Sequence, residues 1–368
     1  MKLHKECKKR LLEELTEYLP EITVSNNKYV NYKSTYNLDK IDRILPVKGE
    51  AVKEFQNMIN ETPFYTFVIE EMQRPLKNYE YKLDEKDKKY FELLPEPNLE
   101  TLSNKLIDEF EKLPRDYKLF IKIPDCFHSL LKYYDKEIIF NDRFRIIELT
   151  DDFISDAKLD TISKVITEGI FKFRFADLQE DHNYLEKDKL YLELTTKGYN
   201  CDYFFTETLS DSINTIKYLY GLGLASSLFR YKRNYSSNKS DGIKTFTKID
   251  GNLIYDTFHN LPDDLKEYIY DIEFVTNLIG PNENINKDFF TYNVQLIGKL
   301  LSGQPKTQKI LEASKWFFEG MSGNNELLSF IQNTVVLEIL LGDKSKSDII
   351  GIGELLRNRC AYFCFTNG

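Results

Sequence analysis

The sequence predicts an α+β protein, with a mixed sheet-and-helix domain over residues 1–205 and an all-α domain over residues 206–368. Three observations predict this. A chain of 368 residues is long for one domain and short for three. Runs rich in β-branched and aromatic residues recur in the first half, as strands require. From Thr206 onward apolar residues recur mostly at helical spacing.

In chain order, Leu3–Leu19 carries Leu3, Leu11, Leu12, Leu15 and Leu19 among charges, a surface amphipathic helix that Pro20 ends. Strands are expected at Phe64–Val68, Leu119–Ile123, Ile138–Phe140, Phe144–Leu149, Ile170–Phe175 and Leu190–Leu194. The charged pattern Asn98–Leu113 reads as a helix packed on them. Thr208 and Asp211 give a helix-start signature ahead of Ile213, Ile216, Leu219 and Tyr220. Tyr235–Gly242 reads as a loop, and helices follow at Leu265–Leu278 and Phe289–Leu301, before Gly303 and Pro305.

Three helices close the chain. Thr307–Gly320 carries Ile310, Ala313, Trp316, Phe317 and Phe318. Asn325–Leu341 is apolar on so many positions that it is expected to be buried on most sides. Glu338, inside its apolar run, then needs a cation, because an unpaired buried charge is costly. The third helix starts at Ser347 or Asp348 and carries Ile349, Leu356, Cys360 and Phe363 on one stripe. Arg359 on it is the expected ion-pair partner of Glu338. Asn358 and Arg359 lie one turn before Tyr362, and Arg357 points about 100° from Asn358.

Composition excludes several classes. Hydrophobic residues at 42%, with 24 Tyr and 26 Phe, supply a core and exclude global disorder. Lys plus Arg at 50 against Asp plus Glu at 59 gives a net charge of −9, so any nucleic acid must be met by locally focused positive charge. Five scattered cysteines fit a reducing compartment, the cytoplasm by default. Met1–Arg10 is charged, with no signal-peptide core after it, and the most apolar stretch, Thr334–Leu341, is far below spanning length.

Other signals read as structure. Gly221-Leu-Gly-Leu-Ala is too short for a dinucleotide fingerprint and reads as helix packing. Gly303–Thr307 lacks phosphate-loop spacing. Cys360 and Cys364 share a helix face but have no second pair of metal ligands, so no metal site is expected. Cys126 and His128 stand two apart, which separates a nucleophile from its base. Asp151, Asp152, Asp156 and Asp160 read as a solvated acidic run rather than a Mg²⁺ site. Phe171–Phe175, with Lys172 and Arg174 alternating against Phe, reads as a one-sided strand rather than a base-stacking surface.

The end of the chain is more specific. Ala313, Trp316, Phe317, Glu319, Gly320, Leu337, Glu338, Leu340, Gly342, Asp343, Lys344, Gly351, Ile352, Glu354, Leu355, Arg359, Cys360, Ala361 and Tyr362 stand in a long run of consistent spacing. This run resembles the opening helices of the Apea-like branch of the bacterial HEPN superfamily, so that 307–368 is a truncated HEPN core, and Gly221, Gly223 and Leu224 look like the region before it. The resemblance implies a helical module directed at RNA in antiphage defence, of a metal-independent ribonuclease class needing no cofactor. It also implies a homodimer or a complete HEPN partner, and a sensor role for residues 1–205.

Such ribonucleases place a His four to six residues after an Arg, an imidazole assisting the ribose 2′-hydroxyl while the cation holds the phosphate. His4, His128, His182 and His259 are the histidines here, and none follows an Arg at that spacing. Arg174 to His182 is too long, and Tyr362, five after Arg357, is a phenol with an ordinary pKa near 10. The catalytic residues are therefore not assigned. Arg357, Asn358, Arg359 and Tyr362 are the candidate RNA contacts, and Glu338 with Arg359 the structural ion pair. The alternative is a non-enzymatic RNA-binding or regulatory protein that pairs with a complete partner.

Overall fold

A computed structural model describes residues 2–26, 28–43, 55, 64–76, 86–93, 98–131, 133–134, 137–156, 185–201, 206–231, 242–249, 252–275, 283–322 and 325–342. Helices and antiparallel sheets together make an α+β protein. Two compact units form, Met1–Tyr117 with Lys197–Ser210, and Lys118–Thr196 with Asp211–Gly368. The sequence boundary at 205/206 falls inside the 197–210 segment.

In the first unit, α1 (Lys5–Tyr18) begins where the His4 ring accepts the Glu6 N–H and buries Leu11 and Leu15 one turn apart. Helix α2 runs from Phe64 to Leu76. Its start was expected to be a strand, since Phe64–Val68 is aromatic and β-branched. The apolar positions, however, continue at Met72 and Leu76 with helical period, and all of them are buried. Helix α3 (Leu99–Glu111) is capped by Asn98, whose side chain accepts the Thr101 N–H, and buries Leu102, Leu106, Ile107 and Phe110.

Lys8 joins α1 to α3 through Glu111 at 2.5 Å. Strands β1 (Thr23–Ser25), β2 (Tyr29–Val30) and β3 (Lys88–Lys89) form a small antiparallel sheet in the order β2-β1-β3. In the core Phe64 and Phe67 stack nearly parallel, and Phe55, Phe110 and Tyr199 meet them edge-on or tilted.

The second unit is organised by a six-stranded sheet. Strand β4 (Arg115–Lys122) enters it from the first unit, followed by a short α4 (His128–Leu131), β5 (Glu137–Asn141), β6 (Phe144–Glu148), α5 (Asp151–Asp156) and β7 (Leu190–Gly198). Helix α6 (Glu207–Ala225) precedes β8 (Phe229–Tyr231), β9 (Ile243–Ile249), β10 (Asn252–His259), α7 (Asp263–Tyr268) and β11 (Ile272–Phe274). The order is β10-β9-β4-β7-β6-β5, and β8 pairs separately with β11.

The expectation that the chain is all-α after residue 206 is corrected here. Residues 243–259 form a hairpin of the main sheet, and the helix expected over Leu265–Leu278 stops at Tyr268 and gives way to β11. Phe246 and Leu253 explain the hairpin, since they pack with Phe120, Ile147 and Tyr191 on the sheet. The start of α6 is also earlier than expected. Thr206 supplies the cap, its hydroxyl accepting the Leu209 N–H, while the Thr208 hydroxyl accepts the Tyr199 N–H. The expected strand Ile170–Phe175 lies outside the described residues, as does Tyr235–Asp241 of the expected loop.

Helices α8 (Glu283–Leu301), α9 (Gln308–Ser322) and α10 (Glu326–Leu341) complete the unit. Gly298 lets α8 touch β5, for a Cβ there would stand 1.7 Å from the Phe140 carbonyl oxygen.

Candidate functional site

Of the residues that carry the family resemblance, those from Ala313 to Leu340 sit on α9 and α10, braced by α6 and α7, and those from Asp343 onward lie outside the described residues. On α9, Leu311, Ala313, Ser314, Phe318, Gly320 and Ser322 are buried, and Trp316 and Phe317 are half-buried. Gly221 on α6 permits close approach: a Cβ there would lie 1.9 Å from the Ser314 carbonyl oxygen. The Gly221-Leu-Gly-Leu-Ala segment is thus a helix-packing device.

Polar contacts fix α9 in place. Lys217 of α6 sets its ammonium between Glu319, at 2.8 Å, and Asp264 of α7. Burial acts against that charge, but both carboxylates outweigh it and hold the Lys217 pKa above its usual value. The Tyr218 hydroxyl donates to Glu312 at 2.6 Å, and Gln308 donates to the same carboxylate. Burial and the Glu312 charge push the Tyr218 phenol well up. The Lys217 ammonium and the Tyr218 phenol are thereby held protonated, which suits neither to act as a general base near neutral pH.

Helix α10 departs from expectation. Asn325 caps it by accepting the Leu328 N–H, and the Gly342 N–H closes it on the Glu338 carbonyl at 2.7 Å. It was expected to be buried on most sides, yet Gln332 is its one fully buried residue. Leu327, Leu328, Phe330, Ile331, Leu337 and Leu340 are between 42% and 69% exposed. The face turned to α9 carries Gln332 and Asn333, the latter against Gly320. Val335, Val336 and Ile339 are half-buried on that side, and the more exposed apolar side chains lie around the rest of the helix. Among the described residues the Gln332 side-chain carbonyl has no hydrogen-bond partner, an unusual state for a buried group.

Glu338 is half-buried on α10 and makes no ion pair among the described residues. Arg357, Asn358, Arg359 and Tyr362 lie outside the described residues, as do Cys360 and Cys364, so the structure leaves the Glu338–Arg359 pair open.

The other candidates are dispersed. His4 is a helix cap, His259 is buried on β10, and His182 lies outside the described residues. His128 sits 3.0 Å from the Asp125 carbonyl and 3.5 Å from Glu148, the latter an ion pair only when the imidazole is protonated. Asp151 pairs with Lys187 at 2.5 Å, and Asp160 lies outside the described residues. Among the described residues no group of three His, Cys, Asp or Glu could hold a metal ion. Phe171–Phe175 and Arg174 also lie outside them. No helix among the described residues is long and apolar enough to cross a membrane.

Sequence reasoning missed two charged constellations. Across four strands of the main sheet, Lys118 and Arg145 both hold the buried Glu193, at 2.7 and 2.8 Å, and Arg145 reaches on to Glu137 at 2.7 Å. In the first unit, Glu71 is clasped by Arg74 and Arg115, with Arg115 also holding Glu109. Each cation meets a carboxylate, so both constellations read as structural. Their only sequence trace is a charged residue on an apolar strand or helix face, as at Glu193 and Glu71.

No protein-family model, no curated protein and no solved structure matches the chain.

Proposed function

We propose that the chain is a bacterial cytoplasmic defence protein of the Apea-like HEPN type, with a sensor role for residues 1–205 and an RNA-directed module whose helical core is at 307–368. The module is incomplete as a ribonuclease. The observation that carries this reading is the motif run from Ala313 to Tyr362, supported by the helical hairpin on which its first half falls. Glu319 and Gly320 lie in the last turn of α9, which runs on to Ser322, Glu338 lies in the last turn of α10, and Lys217 braces Glu319. In this reading Arg357, Asn358, Arg359 and Tyr362 contact RNA, Glu338 pairs with Arg359, and neither metal nor cofactor takes part.

The test is a cleavage assay on the purified chain. RNA stays intact with and without a chelator if the module lacks its catalytic half. Cleavage that survives chelation and disappears in Arg357→Ala would overturn the incompleteness.

A second reading has one observation in its favour. The exposed apolar side chains of α10 suit a module that docks, either with a second copy or with a complete HEPN partner. In that reading the protein is a binding or regulatory component and not an enzyme.

A further inference from the structure

We infer that the small sheet of the first unit and the 3₁₀ segment that follows it, Tyr32–Arg43, form a surface for single-stranded RNA. Tyr29, Tyr32 and Tyr36 supply the stacking rings, and Lys28, Lys33, Lys40 and Lys86 meet the phosphates. This goes beyond the reading above, which assigns RNA contacts to Arg357, Asn358, Arg359 and Tyr362, and it stands on the first unit alone.

Among the described residues of this unit, the large hydrophobic side chains left exposed are these three tyrosines, at 41%, 50% and 78%. No exposed aliphatic side chain stands with them. An amphipathic partner helix docks into an aliphatic groove, whereas flat rings facing water are what unpaired bases stack on. Paired bases cannot reach such rings, so the ligand is single-stranded.

The surrounding charge has the matching sign. Residues 23–40 and 86–89 carry six lysines, Lys28, Lys33, Lys40, Lys86, Lys88 and Lys89, against Asp39 and Asp87, in a chain whose net charge is −9. Ser25–Asn37 contains no Asp or Glu. This is the locally focused positive charge that an acidic protein needs to hold a polyanion. Lys89 pairs with Glu21, but Lys28, Lys33, Lys40 and Lys86 form no ion pair among the described residues, and Lys40 lies 5.0 Å over the Tyr18 ring.

Local bonds hold rings and ammonium groups on one frame. Ser25 pairs with Tyr29 and Thr23 with Lys89, which sets Tyr29 and Lys89 on the outer face of the sheet while Val24 and Val30 enter the core. The turn after β2 is pinned beside them. The Asn31 N–H donates to the Thr23 carbonyl and the Thr23 N–H to the Ser34 hydroxyl. The Asp87 carboxylate accepts from both Ser25 and Asn31 at 2.8 Å, so its oxygens are engaged within the frame.

The test is fluorescence anisotropy of a labelled single-stranded RNA of about 12 nucleotides, a length within the usual site sizes. It uses the full chain carrying Arg357→Ala/Arg359→Ala, so that this inference and the C-terminal contacts stand or fall separately. That background chain is expected to keep a weaker, salt-sensitive binding. Tyr36→Ala weakens it about fivefold or more, and Tyr36→Phe, which keeps the ring, does not. Lys33→Glu weakens it too and flattens the salt dependence, while polyglutamate competes poorly. A background chain that leaves the RNA free at low salt overturns the inference. So do Tyr36→Ala and Lys33→Glu chains that bind like the background, or polyglutamate that competes as well as RNA. Loss of binding on Tyr36→Ala, with wild type and background alike, would uphold this surface and sink the C-terminal contacts.

Discussion

Arg115 grips Glu71 with two parallel hydrogen bonds, Nη1 to Oε1 at 2.9 Å and Nη2 to Oε2 at 2.7 Å. Both side chains are mostly buried, at 15% and 7% exposed. The Arg74 guanidinium and the Tyr199 hydroxyl complete the carboxylate's shell. Glu71→Gln takes the carboxylate from both guanidiniums and leaves Arg115 with Glu109, and removing one side of a buried pair costs about 3 kcal/mol. Urea unfolding of the variant measures this, and a loss under about 1 kcal/mol would show the cluster to be incidental.

The same cluster sets an acid limit. Burial alone would raise the Glu71 pKa, but Arg74 and Arg115 outweigh it and hold the carboxyl below its ordinary 4.5. A depressed carboxylate stabilises the fold above its unfolded pKa, and that stability is lost as pH falls through the folded value. Melting temperature is therefore expected to drop from about pH 4.5 downward, less steeply in Glu71→Gln. Equal acid slopes in both proteins would assign the drop to other carboxylates.

Gly221→Ala drives a Cβ into the Ser314 backbone, which has no flexible end to yield. Overpacking of this kind costs about 2–3 kcal/mol. Gly320→Ala meets only the Asn333 side chain at 3.3 Å and costs less. Thermal unfolding of both variants checks the ranking, and equal stability would mean that α6 and α9 separate without penalty.

Gln332→Met removes an acceptor that is buried without a partner among the described residues. An unsatisfied buried group costs about 1–3 kcal/mol, so the variant is expected to be more stable by about 1 kcal/mol. Destabilisation by that amount would show that the Gln332 amide holds something in solution.

Local patterns were legible in the sequence where one element decides its own fate. The helix starts at Asn98 and Asn325, the α1 stripe of Leu11 and Leu15, and the strands around Leu119, Ile146 and Leu192 all stand where their patterns put them. Phe64–Val68 misled because a short apolar run fits either period, and only packing of Phe67 on Phe110 and Tyr199 settles it. The hairpin at 243–259 was hidden because Lys244, Thr245, Thr247 and Asp256 are buried there, which blurs the alternation that marks a strand.

The charged clusters were illegible for a different reason. Arg115 stands 44 residues from Glu71, and no local spacing joins them. For α10 the sequence gives the apolar positions but not which way they face, since orientation depends on Gly320 admitting Asn333.

The measurement that bears most directly on the central proposal is fluorescence anisotropy of a labelled single-stranded RNA, with the wild-type chain and with Arg357→Ala/Arg359→Ala, across a salt series. The RNA-directed reading predicts metal-independent binding by the wild type that weakens with salt, and a loss of roughly tenfold or more in the double variant, as expected when phosphate contacts are removed. Wild-type protein that leaves the RNA free at low salt, or a double variant that binds as tightly, would contradict it.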